Sequence, residues 1–385
     1  MKLRKLGRAG VMVGEIGMGT EHLLDKDERV VIDTVRAAID GGVTYFDCHP
    51  GHDMQDGAES YIGYEKLGKA IEGARDGLCL TYLAGAGSPP EEAAPRFANY
   101  LKAMRMDHTD VFILQFCDKL KDFERITGRG GLLEYARRLK SEGRIRHIGL
   151  STHSSAVAYA AVDDGGFDVI MYPVNPAFDV LTDERGYMTD NLETLWDAAH
   201  DFDAGGVTGA QPRKSVYVEC ERGGVAVVAM KPFAGGFIFN VEKDAGFTPV
   251  NLIAYALAQN GVAAVVPGCT NPDEIREILT HNSCSDAERD YSGAVAKSRW
   301  SVMENCLYCN HCLPCSAGIN IGQVNRLLDA VLLGEKPDMG AIKEAYARLD
   351  IKASDCVRCG VCIERCPFKV DVINRMERAH EILSI

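Results

Sequence analysis

The chain has 385 residues, with 42 Lys and Arg against 55 Asp and Glu, a formal charge of −13, and 46% hydrophobic residues. That is enough apolar material for a sizeable core, which excludes global disorder, and the length accommodates one large domain plus a small one. The acidic balance disfavours nucleic acid and anionic membrane as partners, and no apolar run is long enough to span a bilayer.

From the N-terminus, 11–18 reads as a strand and 28–40 as a helix ending at Gly41-Gly42. The early basic residues are not a secretion signal, because Gly14, Glu15 and Gly17 interrupt any apolar core. A cytoplasmic location is therefore expected, and the fourteen cysteines are expected to be reduced thiols or metal ligands rather than bridges. Strands at 43–47, 78–83, 110–116, 145–151, 168–172, 225–230 and 263–266 then alternate with helices. The helices are predicted at 66–72, 91–104, 132–141, 155–163, 215–222, 250–259 and 272–280. That alternation implies parallel βαβ units, and eight of them make a (β/α)8 barrel. A doubly wound open sheet would need a Gly-rich dinucleotide fingerprint after the first strand, and Gly17-Met-Gly19-Thr does not complete it. Long loops are predicted at 51–61 and 179–214, on the C-terminal face where barrel active sites sit.

The division predicted is a barrel over 1–284, a helical linker over 285–300, and an iron-sulfur domain over 301–385. The last is expected to be mainly helical, with helices at 324–333 and 341–349. No internal repeat is read. The iron-sulfur assignment rests on two cysteine runs. The first is Cys306-Leu-Tyr-Cys309-Asn-His-Cys312-Leu-Pro-Cys315 and the second is Cys356-Val-Arg-Cys359-Gly-Val-Cys362-Ile-Glu-Arg-Cys366-Pro. The second follows the bacterial ferredoxin spacing, and the first is one residue shorter before its last cysteine. Each run wraps three thiolates around one cubane, and the fourth ligand comes from the other run. Cys306, Cys309, Cys312 and Cys366 are thus expected to hold one [4Fe-4S] cluster, and Cys356, Cys359, Cys362 and Cys315 the other. If Cys315 cannot reach, one cluster keeps an open iron. Zinc sites, the competing reading, need four ligands rather than eight in two runs.

Several stretches resemble the aldo-keto reductase family. Arg4 to Thr20 is similar to its capping hairpin and first strand, and Gly42-Val-Thr-Tyr-Phe-Asp47 to its second strand. Gly143 to Ser151 resembles the fifth, Val225 to Gly236 the seventh, and Val265-Val-Pro-Gly268 with Asn271-Pro-Asp-Glu-Ile the eighth. The cysteine runs resemble the branch of that family with a C-terminal 4Fe-4S ferredoxin-like domain. The resemblance implies hydride transfer from NADPH to a carbonyl, assisted by an Asp-Tyr-Lys-His tetrad. Asp47 matches the Asp, and Tyr61 in Ser60-Tyr-Ile-Gly63 is the match for the Tyr. The Lys position reads Leu83 and the His position Gln115. Without that Lys, a tyrosine near its ordinary pKa of about 10 is a poor proton relay.

The same resemblance places Ser151, Thr152, Asn175, Gly235, Gly236, Gly268 and Asn271 at the cofactor site. Glu274 stands where basic residues would hold a 2′-phosphate, so NAD(P)H remains open. Lys231 and His153, at strand ends, are candidates to contact an oxyanion. Glu21, His22 and Asp53 also fall at the mouth with Cys48, His49 and His52, and a metal held by the last three together with Asp47 is the weaker alternative. The function expected is an oxidoreductase that passes electrons through two [4Fe-4S] clusters to or from a small carbonyl or hydroxyl compound. A ferredoxin or another redox protein would be the partner. An NAD(P)H-dependent carbonyl reductase with a degenerate tetrad, and a non-catalytic electron-transfer subunit, are the alternatives.

Overall fold

The computed structural model describes residues 1–49, 61–181, 199, 213–334 and 336–384. The predicted loops at 51–61 and 179–214, with His52 and Asp53, lie almost wholly outside the described residues. Two strands open the chain as an antiparallel pair, β1 (Leu3–Lys5) and β2 (Met12–Gly14). The single strand expected over 11–18 is therefore split: its first half belongs to this hairpin and its last residues to the barrel.

Eight parallel strands follow: β3 (Met18–Gly19), β4 (Tyr45–Asp47), β5 (Cys79–Gly85), β6 (Thr109–Gln115), β7 (Ile145–Ser151), β8 (Val169–Pro173), β9 (Ala226–Met230) and β10 (Val262–Val265). They lie in sequence order, and parallel bridges Ile16–Val265 and Gly19–Gly268 join the two ends. Gly17 N donates to Val265 O at 2.8 Å and Gly19 N to Pro267 O at 2.9 Å, which closes the (β/α)8 barrel.

The two-residue period of the strands decides what fills the barrel. Val111, Ile113, Val169, Met171, Ala226 and Val228 point inward, and Leu6 and Val13 of the hairpin join them to plug the N-terminal end. The alternate residues Phe112, Leu114, Ile170, Tyr172 and Val227 face the helical ring. Gly149 keeps the inner layer from overfilling, since a Cβ there would sit 2.3 Å from Ile113 Cδ1.

The ring helices fall close to the predicted positions, among them Glu28–Asp40, Leu132–Ser141, Lys214–Arg222 and Pro249–Ala258. The helix expected over 66–72 is Ile62–Ala70 and starts four residues earlier. Leu120–Thr127 is a helix the sequence reading left out. Buried Asp179 ties the ring together at the rim: it accepts the Tyr217 hydroxyl at 2.6 Å and the Tyr255 hydroxyl at 2.7 Å. Burial pushes its carboxyl up to about 6.

Residues 285–300 form the short helices Asp286–Arg289 and Ser292–Lys297. They lead into Trp300, which is 1% exposed, donates from Nε1 to Ala199 O at 2.8 Å and lies near the rings of Phe237 and Phe247. Beyond it the chain is helical. Ile321–Leu332 packs on Val372–Leu383, a helix not foreseen, and Met339–Ala347 lies against the first.

The two cysteine runs also share a backbone plan, which corrects the absence of a repeat. Tyr308 and Asn310 flank Cys309 with positive φ, as Arg358 and Gly360 flank Cys359. Gly318 and Lys369, each three residues past the last cysteine of its run, have positive φ too. Asn320 and Asp371, each five past it, cap 12-residue helices by accepting from Gln323 N and Asn374 N. A sequence comparison misses this because the shared positions differ in residue type while their conformation agrees. No helix among the described residues is long and apolar enough to cross a membrane.

Trp300→Ala removes the indole on which the barrel rim and the connecting segment both pack. We expect a loss of about 3–5 kcal/mol, read as a lower denaturant midpoint.

Candidate functional site

The C-terminal ends of the strands surround a cavity of about 330 Å³. Asp47 ends β4 and Thr81 Oγ1 of β5 donates to it at 3.1 Å. Burial pushes the Asp47 carboxyl up to about 7. The Thr81 bond and the charge of Lys231 work against that rise, and Glu21 adds to it. Leu83 and Gln115, standing where the reductase tetrad would have Lys and His, line the same cavity, as do His22 and His49. Met171 and Met230 supply apolar wall. Lys231 follows β9 with a φ of 50°, and its carbonyl accepts Asn175 Nδ2 at 2.9 Å.

His153 is the most constrained polar group in the wall. It is 4% exposed. Asp118 takes its backbone N at 2.7 Å and its ring Nδ1 at 3.0 Å, and Arg213 Nη2 donates to its carbonyl at 2.6 Å. The ring stacks on Phe116, centroids 5.9 Å apart. With Nδ1 held by a carboxylate, the ring nitrogen left for chemistry is Nε2, which is buried and has no partner among the described residues. Burial pushes the Asp118 carboxyl up, but the hydrogen bonds and charge of His153 outweigh it and hold the carboxyl below its ordinary range. The sequence reading missed Asp118. It stands three residues past the strand-end Gln115, but only folding brings it under residue 153.

The predicted residues divide. Asp47, Ser151, His153, Lys231, Gly235, Gly236 and Gly268 meet at the cavity. Tyr61 is not among its described lining; its ring lies 6.2 Å from that of Tyr64, at the start of the helix Ile62–Ala70. Thr152 is buried beneath the wall with its hydroxyl 3.3 Å from Asp118 and accepting Ser154 N at 3.1 Å. Asn175 is fully buried and spends its oxygen on capping Phe178 N at 2.9 Å. Asn271 likewise caps its own helix through Asp273 N and Glu274 N, both at 3.0 Å. Glu274 turns back onto Thr270 N at 2.7 Å. That helix N-terminus is thus already supplied with acceptors. Cys48 is buried, and burial pushes its thiol up to about 12, which makes it a structural residue.

A second grouping forms in the C-terminal region. Cys306, Cys309, Cys312 and Cys366 line one small cavity, with Leu307, Phe368 and Val370 around them. Cys312, Cys315, Cys356, Cys359 and Cys362 line a second, and Ile321 and Val372 line both. Apart from Cys312, which the two cavities share, the first adds Cys366 to thiols of the first run and the second adds Cys315 to thiols of the second run. All eight are free thiols. Burial pushes Cys309 and Cys312 up to about 12, so a bound cation is what would deprotonate them at neutral pH. Among the described residues no three His, Cys, Asp or Glu side chains gather tightly enough for a single metal ion. A cubane spaces its thiolates more widely than one ion does, and the soft, all-sulfur donor sets in apolar surroundings fit such a cluster.

The closed parallel barrel thus carries its cavity at the strand C-termini, with Asp47 at the end of β4 and the hairpin plugging the opposite end. The family model described as Aldo/keto reductase family matches residues 15–185. Aldo-keto reductase YhdN of Bacillus subtilis is 28% identical over 170 residues, which cover 40% of this chain and 48% of that protein. The match thus spans about half the length of this curated relative. Among solved structures, aldo-keto reductase AKR11C1 from Bacillus halodurans, in its holo form, superposes with a TM-score of 0.56 at 18% identity, covering 75% of this chain and 94% of that one. An aldo-keto reductase from Klebsiella pneumoniae in complex with NADPH gives 0.51 at 17%, covering 74% and 90%. At these identities the structural likeness is one of fold.

The raised Asp47 carboxyl carries a stability prediction. The fold favours its neutral form, so its contribution is full below the unfolded value near 3.9 and is lost as pH rises through about 7. Asp47→Asn should therefore melt higher than the wild type at pH 8 and alike at pH 4, in paired thermal scans.

Proposed function

We propose that this chain is an oxidoreductase interconverting a small carbonyl compound and its alcohol at the barrel mouth. Its proton transfer is assigned to the Asp118–His153 pair, and its eight C-terminal cysteines to two [4Fe-4S] clusters. The observation that carries the reading is His153, which lines the cavity and is held by Asp118 at Nδ1, while its Nε2 has no partner among the described residues. An imidazole held this way can protonate a carbonyl oxygen or accept the proton of a hydroxyl. That is the role the reductase tetrad gives to tyrosine, and Tyr61 is not among the described residues that line the cavity.

Carbonyl reduction takes two electrons and two protons: His153 would deliver the proton that ends on oxygen, and the Asp47 carboxyl in the same wall, neutral below about pH 7, the one that ends on carbon. Lys231, in the same wall, supplies positive charge to the developing oxyanion. Asp47 is neutral below about pH 7 and anionic above it, so its charge opposes the oxyanion only on the alkaline side. The apolar wall of Leu83, Met171 and Met230 limits water around the reacting carbon. Cys306, Cys309, Cys312 and Cys366 would hold one cluster and Cys315, Cys356, Cys359 and Cys362 the other. Such clusters, when bound, exchange electrons singly. A ferredoxin-like carrier is the partner this reading calls for.

A nicotinamide-dependent carbonyl reductase on the same mouth is the second reading. The Klebsiella pneumoniae structure with NADPH favours it. So do Ser151, Gly235, Gly236 and Gly268, which stand in the cavity wall. The Glu274 carboxylate would repel a 2′-phosphate, so NADH is the nucleotide expected under it.

Anaerobic protein assayed on a panel of small aldehydes and ketones, with reduced methyl viologen as donor, tests the assignment. His153→Gln should lower kcat by roughly 10²- to 10⁴-fold, and Tyr61→Phe should leave it unchanged. Full turnover in His153→Gln sinks the proton-transfer role. A separate titration with NADH and then NADPH decides the electron source. Nucleotide binding followed by turnover without viologen selects the second reading, and no binding selects the first.

A further inference from the structure

The two cysteine sets differ in what touches their sulfurs. Cys306 Sγ accepts a hydrogen bond from Asn325 Nδ2 at 3.2 Å, and Asn325 is fully buried in the helix Ile321–Leu332. The amide is held in that sense by its other end, because Asn325 Oδ1 accepts Arg375 Nε at 2.7 Å. An arginine only donates, so the oxygen must face Arg375 and the NH2 must face the sulfur. Arg375 is fixed in turn by Asp329, 2.5 Å from Nη2. Asp329 also accepts Lys214 Nζ and the Tyr308 hydroxyl, each at 2.7 Å. Lys214 comes from the barrel helix Lys214–Arg222 and donates to Cys306 O at 2.7 Å as well. In the other set the corresponding side-chain contact is Ser316 Oγ to Cys359 Sγ at 3.2 Å, and it is exposed to competing water.

We infer that Asn325 is a positioning residue that raises the reduction potential of the cluster held through Cys306, and that Lys214 of the barrel, through Asp329 and Arg375, keeps its amide donating to the sulfur. The inference rests on the iron-sulfur reading proposed above. An N–H donor to a ligating sulfur draws electron density from it and favours the reduced, more negative cluster. In a buried site that bond is worth more than at the surface. Electrons are thereby biased towards the cluster whose Cys306 touches the barrel helix.

The test is a redox titration of the full chain, prepared anaerobically and followed by electron paramagnetic resonance, alongside iron and sulfide analysis. Asn325→Leu keeps the side-chain branching and removes the donor. It should retain the iron and sulfide of two clusters and lower one midpoint by a tenfold change in the reduction equilibrium, about 59 mV for a one-electron couple. The other midpoint should not move. Arg375→Lys, which keeps the charge and removes the Nε donor, should move the same midpoint in the same direction, and it answers the question if Asn325→Leu does not fold. Both midpoints unmoved in a variant that retains both clusters overturns the inference. Wild-type protein prepared without iron and sulfide overturns instead the iron-sulfur reading on which it stands.

Discussion

Closure of the parallel sheet is the constraint on which the rest depends. A parallel strand cannot pair with itself, so each edge left open would present unpaired amides. Here β3 is only two residues long, and the first and last strands meet through Gly17, Gly19 and Ile16 against Val265, Pro267 and Gly268. The approach is close enough that a Cβ on Gly17 would lie 2.8 Å from Tyr45 O. Closing the ring brings all the strand ends to one rim. That is why Asp47, Gln115, Ser151 and Lys231, far apart in the chain, share one cavity.

A second constraint joins the cysteine region to that ring. Lys214 and Asp329 are both nearly inaccessible, and Arg375 meets Asp329 from a third helix. Burying such charges is costly unless each is paired, and removing one partner would leave the others stranded in a dry site. The network therefore fixes one relative placement of the barrel helix, the Cys306 loop and the C-terminal helix. It also carries a donor to the sulfur of Cys306, so the contact that orders the junction is the same one that touches a proposed cluster ligand.

Asp47, Leu83, Gln115 and Lys231 line the barrel mouth, with Met171 and Met230 as apolar wall. The proton carrier we propose there is an imidazole held at Nδ1 by a carboxylate. Function resides in strand-end and loop residues, whereas the fold depends on the inward layers.

The (β/α)8 architecture was legible because buried parallel strands are short apolar runs and ring helices are amphipathic, and both periods survive in one dimension. The two cysteine runs are legible for a related reason, since their spacing is local. His153, Lys231 and Asp47 could be placed at strand ends from the alternation alone. What folding decided is which of the strand-end groups meet. Asp118 lies 35 residues before His153 in the chain, and no period links them. Asn175 and Asn271 look like ligand residues in sequence, but their amides go to helix caps, because a buried N–H must be satisfied before anything else is bound. The repeated backbone of the two cysteine loops was hidden for the converse reason: left-handed conformations are shared by Tyr308 and Arg358, whose side chains have nothing in common. The sequence by itself thus determined the layers, the periods and the local ligand spacings. The tertiary structure alone decided pairings across the chain, because those depend on where the closed sheet and the buried charges bring separate segments together.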